Sequence, residues 1–182
     1  MKRRTLLAAG LFGGAAAAMA APDAARTASA APKTPGAAAP CAEGAVLTKT
    51  QSGVNTVFPL GVPNTAYAKY FKGQSYLAML DTNKLCPVAN VTFEPGCRNN
   101  WHKHAGGQIL LVVGGRGWYQ EEGKPARELR AGDVVDIASG VKHWHGAAKD
   151  SWFEHISIEV RPDMGPATWL EPVSDADYAK LP

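Results

Sequence analysis

The sequence is poor in cysteine, in aromatic residues and in charge of one sign. It has three cysteines among 182 residues, and aromatic residues make up 8% of the chain. Three cysteines form one disulfide at most, which excludes a small scaffold held together mainly by cross-links. Cys86 and Cys97 flank one predicted strand, and the sequence leaves open whether they pair or remain two free thiols.

An excess of charge is lacking once the start of the chain is set aside. The formal net charge is +3, but Lys2, Arg3 and Arg4 lie among the first twenty residues, which include no acidic residue. Subtracting these three from the 19 Lys and Arg leaves 16, equal to the 16 Asp and Glu. A balanced chain has no basic surface for nucleic acid or an anionic membrane. We therefore expect neither of them as a partner.

A strongly apolar run of membrane-spanning length is absent too, and residues 1–20 instead have the three parts of a secretory signal. A basic start precedes an apolar stretch from Leu6 to Ala17, and Ala18-Met19-Ala20 fits the small-x-small cleavage rule. The stretch is too short and too rich in Ala and Gly for a membrane anchor. Arg3-Arg4 suggests the twin-arginine route, with the general secretory route as the alternative. We expect a periplasmic or secreted protein, free of the membrane after cleavage.

The rest of the chain has the composition of a linker followed by one folded domain. Residues 21–44 are rich in Ala and Pro and include no aromatic residue, so we predict a disordered linker there. Residues 45–182 have the length of a single domain of ordinary size. One domain with a balanced charge is compatible with a small-molecule enzyme or binding protein.

From residue 74 on, short runs of strand-forming residues alternate with turns. The predicted strands are Ser75–Leu80, Val88–Glu94, Gln108–Val113, Trp118–Gln120, Arg127–Arg130, Val134–Ile137, His143–Ala147 and Phe153–Val160. The glycine cluster at residues 114–117 is predicted to form a hairpin turn. Short helices are predicted at Thr65–Tyr70 and after Ser174, which can cap a helix over Asp175–Lys180. Many short, closely spaced strands are typical of an all-β sandwich or barrel.

Four of the five histidines occur in two His-x-His pairs. Side chains two residues apart on a strand lie on one face, so His102 and His104 can bind one ion together. Gln108 has the same parity, and His143 and His145 form the second pair. Imidazole is a ligand for Mn, Fe, Ni, Cu and Zn. An isolated His-x-His is more often a surface feature, so the glycines around both pairs decide in favour of a metal site.

These glycines and histidines resemble the two-motif pattern of the cupin superfamily. The first cupin motif, Gly-x5-His-x-His-x3–4-Glu-x6-Gly, matches from Gly96 to Gly115 with Gln108 in place of Glu. The second, Gly-x5-Pro-x-Gly-x2-His-x3-Asn, ends at Ala147, and Ala stands in place of both its Pro and its Asn. The resemblance implies an all-β fold, the cupin double-stranded β-helix, which is a jelly-roll barrel, with short peripheral helices.

The resemblance also implies a divalent metal and its ligands. The ligand positions of the two motifs correspond to His102, His104, Gln108 and His143. A Gln ligand adds no charge, so the ion would keep its full positive charge and favour Lewis-acid chemistry over oxygen activation. The alternative is that water replaces Gln108 at the ion. We expect manganese first, with iron, nickel and zinc as alternatives.

Residues 57–182 resemble a narrower bacterial group. It includes manganese-dependent cupin hydroxynitrile lyases and cupins associated with carboxymuconolactone decarboxylases. The block His-Trp-His-Gly-Ala-Ala, from His143 to Ala148, is shared with the lyases. The resemblance implies that His145 is the acid–base group and that the protein is a homodimer. The lyases have Gln where this chain has Glu159, which leaves the substrate open.

Further candidates for the site lie on two predicted strands. His155, Ser157 and Glu159 share one face of the last long strand, which either lines the barrel interior or faces solvent. If that face is interior, His155 and Glu159 join His145 as catalytic candidates. The candidate substrate-pocket residues are Ala89, Val91, Phe93 and Ser157. The first three are predicted to form an apolar wall, although ordinary core packing also explains them.

The favoured function is a metal-dependent lyase that acts on a small hydroxylated or carbonyl substrate. This hypothesis covers hydroxynitrile-lyase-like chemistry and decarboxylase- or lactone-related chemistry. The sequence is also compatible with two alternatives, a non-haem metal dioxygenase and a small-molecule-binding cupin without turnover.

Overall fold

The computed structural model describes residues 57–182. The predicted signal (residues 1–20), the predicted linker (residues 21–44) and the start of the predicted domain lie outside the described residues. Within residues 57–182, no helix is long and apolar enough to cross a bilayer.

Strand is the main regular secondary structure of the described residues. Twelve strands, labelled β1 to β12 in chain order, are Val62–Pro63, Phe71–Lys72, Ser75–Asp81, Val88–Phe93, Arg98–Asn99, His102–Lys103, Gln108–Glu121, Arg127–Arg130, Val134–Ile137, His143–Ala147, Phe153–Glu159 and Thr168–Trp169. Ala68–Tyr70 and Pro162–Met164 are single 3-10 turns, and one α-helix, α1, spans Asp175–Ala179. The predicted all-β class is confirmed, while the predicted Thr65–Tyr70 helix is reduced to one turn.

The strands form two antiparallel sheets that share β7. In one sheet the order is β1-β3-β4-β11-β7, with β9 also paired to β7. In the other, β7 pairs with β8 and β10, and β10 continues to β5 and β6. The apolar side chains between the sheets form the main core, with Phe93, Leu110 and Phe153 fully buried. This curled, jelly-roll arrangement is the fold that the sequence predicted.

Strand β7 runs without a break through the glycine cluster, so the predicted hairpin turn at residues 114–117 is wrong. Along β11, Glu154 pairs with Gly114 but His155 pairs with Val112, which leaves one extra residue in β7 as a β-bulge. Gly115 has a φ of +68°, and a Cβ there would lie 1.8 Å from the carbonyl oxygen of Trp152. Glycine at this position therefore lets β7 pass from one sheet to the other. A residue with a Cβ would collide with the backbone just before β11.

Helix α1 begins at the predicted cap, because the Ser174 hydroxyl accepts the backbone N–H of Asp177 at 3.0 Å. Tyr178 on this helix donates its hydroxyl to the Ala147 carbonyl at 2.7 Å and so anchors the helix to β10. Cys86 is exposed and Cys97 is buried, and both are free thiols. The open question about these two cysteines is therefore settled against a disulfide between them.

Candidate metal centre

Strand β10 brings the two His-x-His pairs together. It carries His143 and His145 and lies between β7 on one side and the short strands β5 and β6 on the other. His143 is in register with His102 of β6, so their ring centroids lie 4.1 Å apart, with the planes inclined by 55°. Gln108 begins β7 and is 5% exposed.

Among the described residues, one group of three ligand-type side chains is compact enough for a single ion. It consists of His102, His143 and His145, whose ligand atoms lie within 4.8 Å of one another. His104 lies at the edge of this group, with its ring centroid 5.2 Å from that of His102 and 5.8 Å from that of His143. By distance alone, His145 belongs to the trio and His104 does not.

Backbone carbonyls fix the tautomers of the two central imidazoles. His102 Nδ1 lies 3.0 Å from the Asn100 oxygen, and His143 Nδ1 lies 2.9 Å from the Val141 oxygen. A carbonyl oxygen only accepts, so each Nδ1 carries the proton and each Nε2 keeps a free lone pair. Burial lowers the pKa of His143 to about 4 and, together with neighbouring His143, lowers the pKa of His102 well below its usual value. Both rings are therefore neutral at pH 7 and suited to bind a cation.

The Gln108 amide completes a site that fits a cation. Its Nε2 donates to the Ser157 hydroxyl at 2.9 Å, and its Oε1 lies 3.2 Å from His143 Nε2. The oxygen and the imidazole nitrogen are both acceptors, and no proton lies between them. With the amide in this orientation, a cation in contact with both atoms would remove the repulsion between their lone pairs, so the donor set fits a divalent ion.

His104 has an acidic neighbour. Its Nδ1 lies 3.7 Å from a carboxylate oxygen of Glu159 on β11, which is an ion-pair distance longer than a hydrogen bond. Burial, with a smaller effect of His143, lowers the pKa of His104 to about 4, so the ring is neutral at pH 7. Burial also raises the pKa of the half-buried Glu159. The neutral ring can direct its Nδ1–H towards the carboxylate.

Asn99 of β5 presents a hydrogen-bond donor to His145, whereas His102 and His143 contact acceptors. Its Oδ1 accepts the backbone N–H of His145 at 2.9 Å, which turns its Nδ2 towards the imidazole ring, 3.1 Å from Nε2 and 3.4 Å from Nδ1. An amide N–H only donates, so it takes up a lone pair of His145. Asn99 is 2% exposed. No motif or spacing in the sequence singles it out.

His155 is fully buried, and neither ring nitrogen has a hydrogen-bond partner. Its ring stacks near Phe93 and Phe153 and meets His145 edge-on at 4.8 Å. Burial lowers the pKa of His155 to about 3. An unpartnered buried polar group costs on the order of 1–3 kcal/mol, and His155 lies among the residues around the cavity.

A cavity of about 390 Å³ lies beside these histidines. Its apolar lining residues include Tyr67, Phe71, Leu77, Met79, Ala89, Val91 and Trp169. His104, Gln108, Ser157 and Glu159 also line it, whereas Phe93 does not. Phe93 lies in the core behind the wall, with no exposed surface. Among the described lining residues Glu159 carries the only charge, and there is no Lys or Arg.

The fold and this arrangement define a small β-barrel protein with a histidine-rich centre, and comparisons with known proteins give its family. A sequence model of the Cupin domain matches residues 89–159. A curated relative, the (R)-mandelonitrile lyase of Granulicella tundricola, is 47% identical over 92 residues, which cover 50% of this chain and 70% of that protein. The chain belongs to the cupin superfamily.

Solved structures support the same conclusion. A cupin-like protein from Thermotoga maritima is 45% identical, with a TM-score of 0.66, over 69% of this chain and 96% of that chain. A predicted oxalate decarboxylase from the same organism is 23% identical, with a TM-score of 0.50, over 55% of this chain and 92% of that chain. The second likeness concerns the fold alone.

Proposed function

We propose that this protein is a divalent-metal-dependent cupin lyase that cleaves a small neutral hydroxylated substrate, such as a cyanohydrin, into a carbonyl compound and a small acid. The observation that carries the proposal is the pair of acceptor atoms, Gln108 Oε1 and His143 Nε2, held 3.2 Å apart beside a cavity. The similarity to a mandelonitrile lyase supports cyanohydrin cleavage as the first reaction to test.

Three imidazoles and one amide would hold the ion. These ligands are His102, His104, Gln108 and His143. All four are neutral, so they do not reduce the ion's charge. A divalent ion held there would supply Lewis acidity towards a substrate oxygen that develops negative charge. Manganese is the first candidate, and iron, nickel and zinc suit the same donors.

The other two histidines, His145 and His155, have different roles in proton transfer and hydrogen bonding. His155 has a free lone pair beside the cavity, so it can accept the proton of the substrate hydroxyl. The carbon–carbon bond to the nitrile then breaks as the carbonyl forms, and cyanide takes the proton back from His155. His145 has one lone pair engaged by Asn99, so its remaining N–H can donate to the reacting groups. His155 thus acts as the proton acceptor and His145 as a hydrogen-bond donor.

The charge of the cavity favours neutral substrates over carboxylates. No Lys or Arg is present among its described lining residues to pair with a carboxylate, and Glu159 would repel one. The apolar and aromatic walls fit an aryl or alkyl group. This favours a hydroxynitrile over the hydroxy acids of decarboxylase-type chemistry.

The test compares mandelonitrile with mandelate, which has the same aryl and hydroxyl groups but a carboxylate in place of the nitrile. Protein stripped of metal and reloaded with Mn²⁺, Fe²⁺, Ni²⁺ or Zn²⁺ is assayed for benzaldehyde and cyanide release. We expect turnover of the nitrile with at least one metal, none in the stripped protein or in His143→Ala, and no inhibition by mandelate. The absence of cleavage of any cyanohydrin with every metal would refute the lyase proposal. Oxygen uptake by the iron-loaded protein would support a dioxygenase instead.

A further inference from the structure

Four imidazoles surround the proposed metal centre, although three suffice beside Gln108. The groups that contact the ring nitrogens from outside the centre are of two kinds, acceptors and a donor. His102 and His143 each have Nδ1 at hydrogen-bond distance from a backbone carbonyl, and His104 Nδ1 lies 3.7 Å from the Glu159 carboxylate, within ion-pair distance. His145 alone meets a donor, the side-chain amide of Asn99.

This difference has a chemical meaning. A histidine that binds a metal through one nitrogen usually donates its other N–H to a carbonyl or carboxylate, which fixes the tautomer and makes the ligating nitrogen a better electron donor. An outer donor has the reverse effect, because it uses a lone pair that the metal would need. Acceptors thus favour ligation by three of the rings, and the donor disfavours ligation by His145.

We infer that Glu159 and Asn99 are positioning residues that decide which histidines bind the ion. Glu159 favours His104 as a metal ligand, and Asn99 keeps His145 out of the coordination sphere. The inference rests on the proposed function, since it requires an ion at this centre. It gives Glu159 a role different from the proton transfer that the sequence suggested.

Distance alone would select a different set of histidine ligands. His145 belongs to the compact trio with His102 and His143, while His104 lies outside it. Without Asn99, the unprotonated nitrogen of His145 would be free to complete that trio. A residue that opposes this ligation is therefore needed if His145 is to remain available to the substrate.

Both positioning residues are well placed for these roles. Among the described residues, His104 is the only ion-pair partner of Glu159, and no Lys or Arg lies within 4.0 Å of its carboxylate. Asn99 is nearly fully buried, and its Oδ1 is engaged by the His145 backbone, so its Nδ2 stays directed at the ring. Strands β5 and β10 are paired at the adjoining residues, Arg98 and Gly146, which holds this geometry.

The experiment uses Co²⁺ alone as the probe, because its visible absorption depends on the number and type of ligands. Three variants of the full chain are compared with the wild type. Glu159→Leu removes the acceptor beside His104, Asn99→Asp replaces the donor beside His145 with an acceptor, and Glu122→Gln removes a surface carboxylate that binds Lys142. The last variant controls for the loss of one negative charge.

We expect Glu159→Leu to weaken Co²⁺ binding at least tenfold, and Glu159→Gln, whose amide oxygen can still accept, to recover most of that loss. Asn99→Asp should bind Co²⁺ about tenfold more tightly and change the visible spectrum, because His145 becomes a ligand. Glu122→Gln should match the wild type. If Asn99→Asp does not fold, Asn99→Ala, which removes the donor, should show the same direction of spectral change.

Wild-type affinity in Glu159→Leu, or a wild-type spectrum in the folded Asn99 variants, would overturn the inference even if the enzyme cleaves cyanohydrins. Conversely, the expected cobalt results in a protein that cleaves no cyanohydrin would support the inference and refute the lyase proposal. A wild-type protein that binds no ion would overturn both.

Discussion

Trp169 covers one face of His102, with ring centroids 4.7 Å apart and planes inclined by 26°. The contact follows from strand pairing, because Trp169 of β12 is in register with His102 of β6. Tyr70 stacks on Trp169 in turn, at 4.7 Å. The imidazole is therefore held between its backbone hydrogen bond and an aromatic stack at the wall of the cavity.

Because Trp169 lies in this stack, its fluorescence can be used to follow metal binding. We expect Co²⁺ binding to quench the tryptophan fluorescence of the wild type, because an absorbing paramagnetic ion at the centre would lie close to the Trp169 indole. Trp169→Phe should lose most of the quenching while keeping Co²⁺ affinity within about threefold, since a ring still covers His102. Trp152→Phe, a change at an indole that stacks near Tyr76, is the matched control and should keep the quenching. Equal quenching in both variants would contradict the proposed position of the ion.

A second prediction concerns the uncharged amide ligand. Gln108→Glu should bind Mn²⁺ about tenfold more tightly, because a carboxylate adds attraction to the cation. The same charge reduces the ion's Lewis acidity, so kcat for cyanohydrin cleavage should fall about tenfold. Titration of Mn²⁺ and steady-state kinetics measure the two effects. Gln74→Glu, which adds the same charge at an exposed position, should change neither. A rise in kcat with Gln108→Glu would contradict the role given to the neutral ligand.

The buried histidines predict that the metal-free protein is sensitive to acid. Burial lowers the pKa of His104 and His143 to about 4 and that of His155 to about 3, while the unfolded chain titrates near 6.5. Below pH 6.5 the unfolded chain binds protons that the folded chain does not, so the free energy of unfolding falls as the pH falls. The loss approaches about 1.4 kcal/mol per pH unit for each histidine between roughly pH 6 and 4.

Urea unfolding of chelator-treated protein at pH 7.5, 6 and 5 measures this loss. His155→Phe removes one titrating group and fills a similar volume, so its stability should decline less steeply with falling pH. An unfolding free energy that is the same at pH 7.5 and pH 5 would show that these histidines are not kept neutral by the fold.

A fourth prediction tests the close approach at Gly115, where β7 passes from one sheet to the other. Gly115→Ala should lower the free energy of unfolding by about 3 kcal/mol or more, because the new Cβ would lie 1.8 Å from the Trp152 oxygen and the backbone has a φ of +68°. Gly132→Ala is the control, since Gly132 has a φ of +98° but no atom lies within 4 Å of the added Cβ. That variant should lose about 1 kcal/mol from backbone strain alone. Equal losses in urea unfolding would show that the close approach of β11 is unimportant.

Local periodicity and motif spacing were sufficient to predict much of the fold. Alternation of side chains places His102 and His104 on one face, and the resemblance of the glycine and histidine pattern to the cupin motifs implies the barrel. The error at Gly115 has a physical cause. A glycine with positive φ occurs both in turns and within a continuous strand, and the pairing of Gly115 with Phe153 of β11 decides for the strand.

The site could be predicted less completely because its outer contacts join distant parts of the chain. Asn99 reaches His145 across the β5–β10 pairing, and Glu159 reaches His104 from β11, and neither contact leaves a periodic signal. Phe93 has the parity of the pocket wall but lies behind it, because parity gives the face of a strand and not the depth of a cavity. Export, the homodimer and the native metal remain predictions.

Strand β7 also limits how this protein can change in length. Gln108 points inward because it lies an even step along the strand from Leu110, and the crossing between the sheets is set further on by the bulge. Removing one residue between the two would turn Gln108 outward or abolish the bulge, since a strand alternates its faces at every residue. A deletion in this part of β7 would therefore either remove the amide oxygen from the centre or change how the strand passes from one sheet to the other.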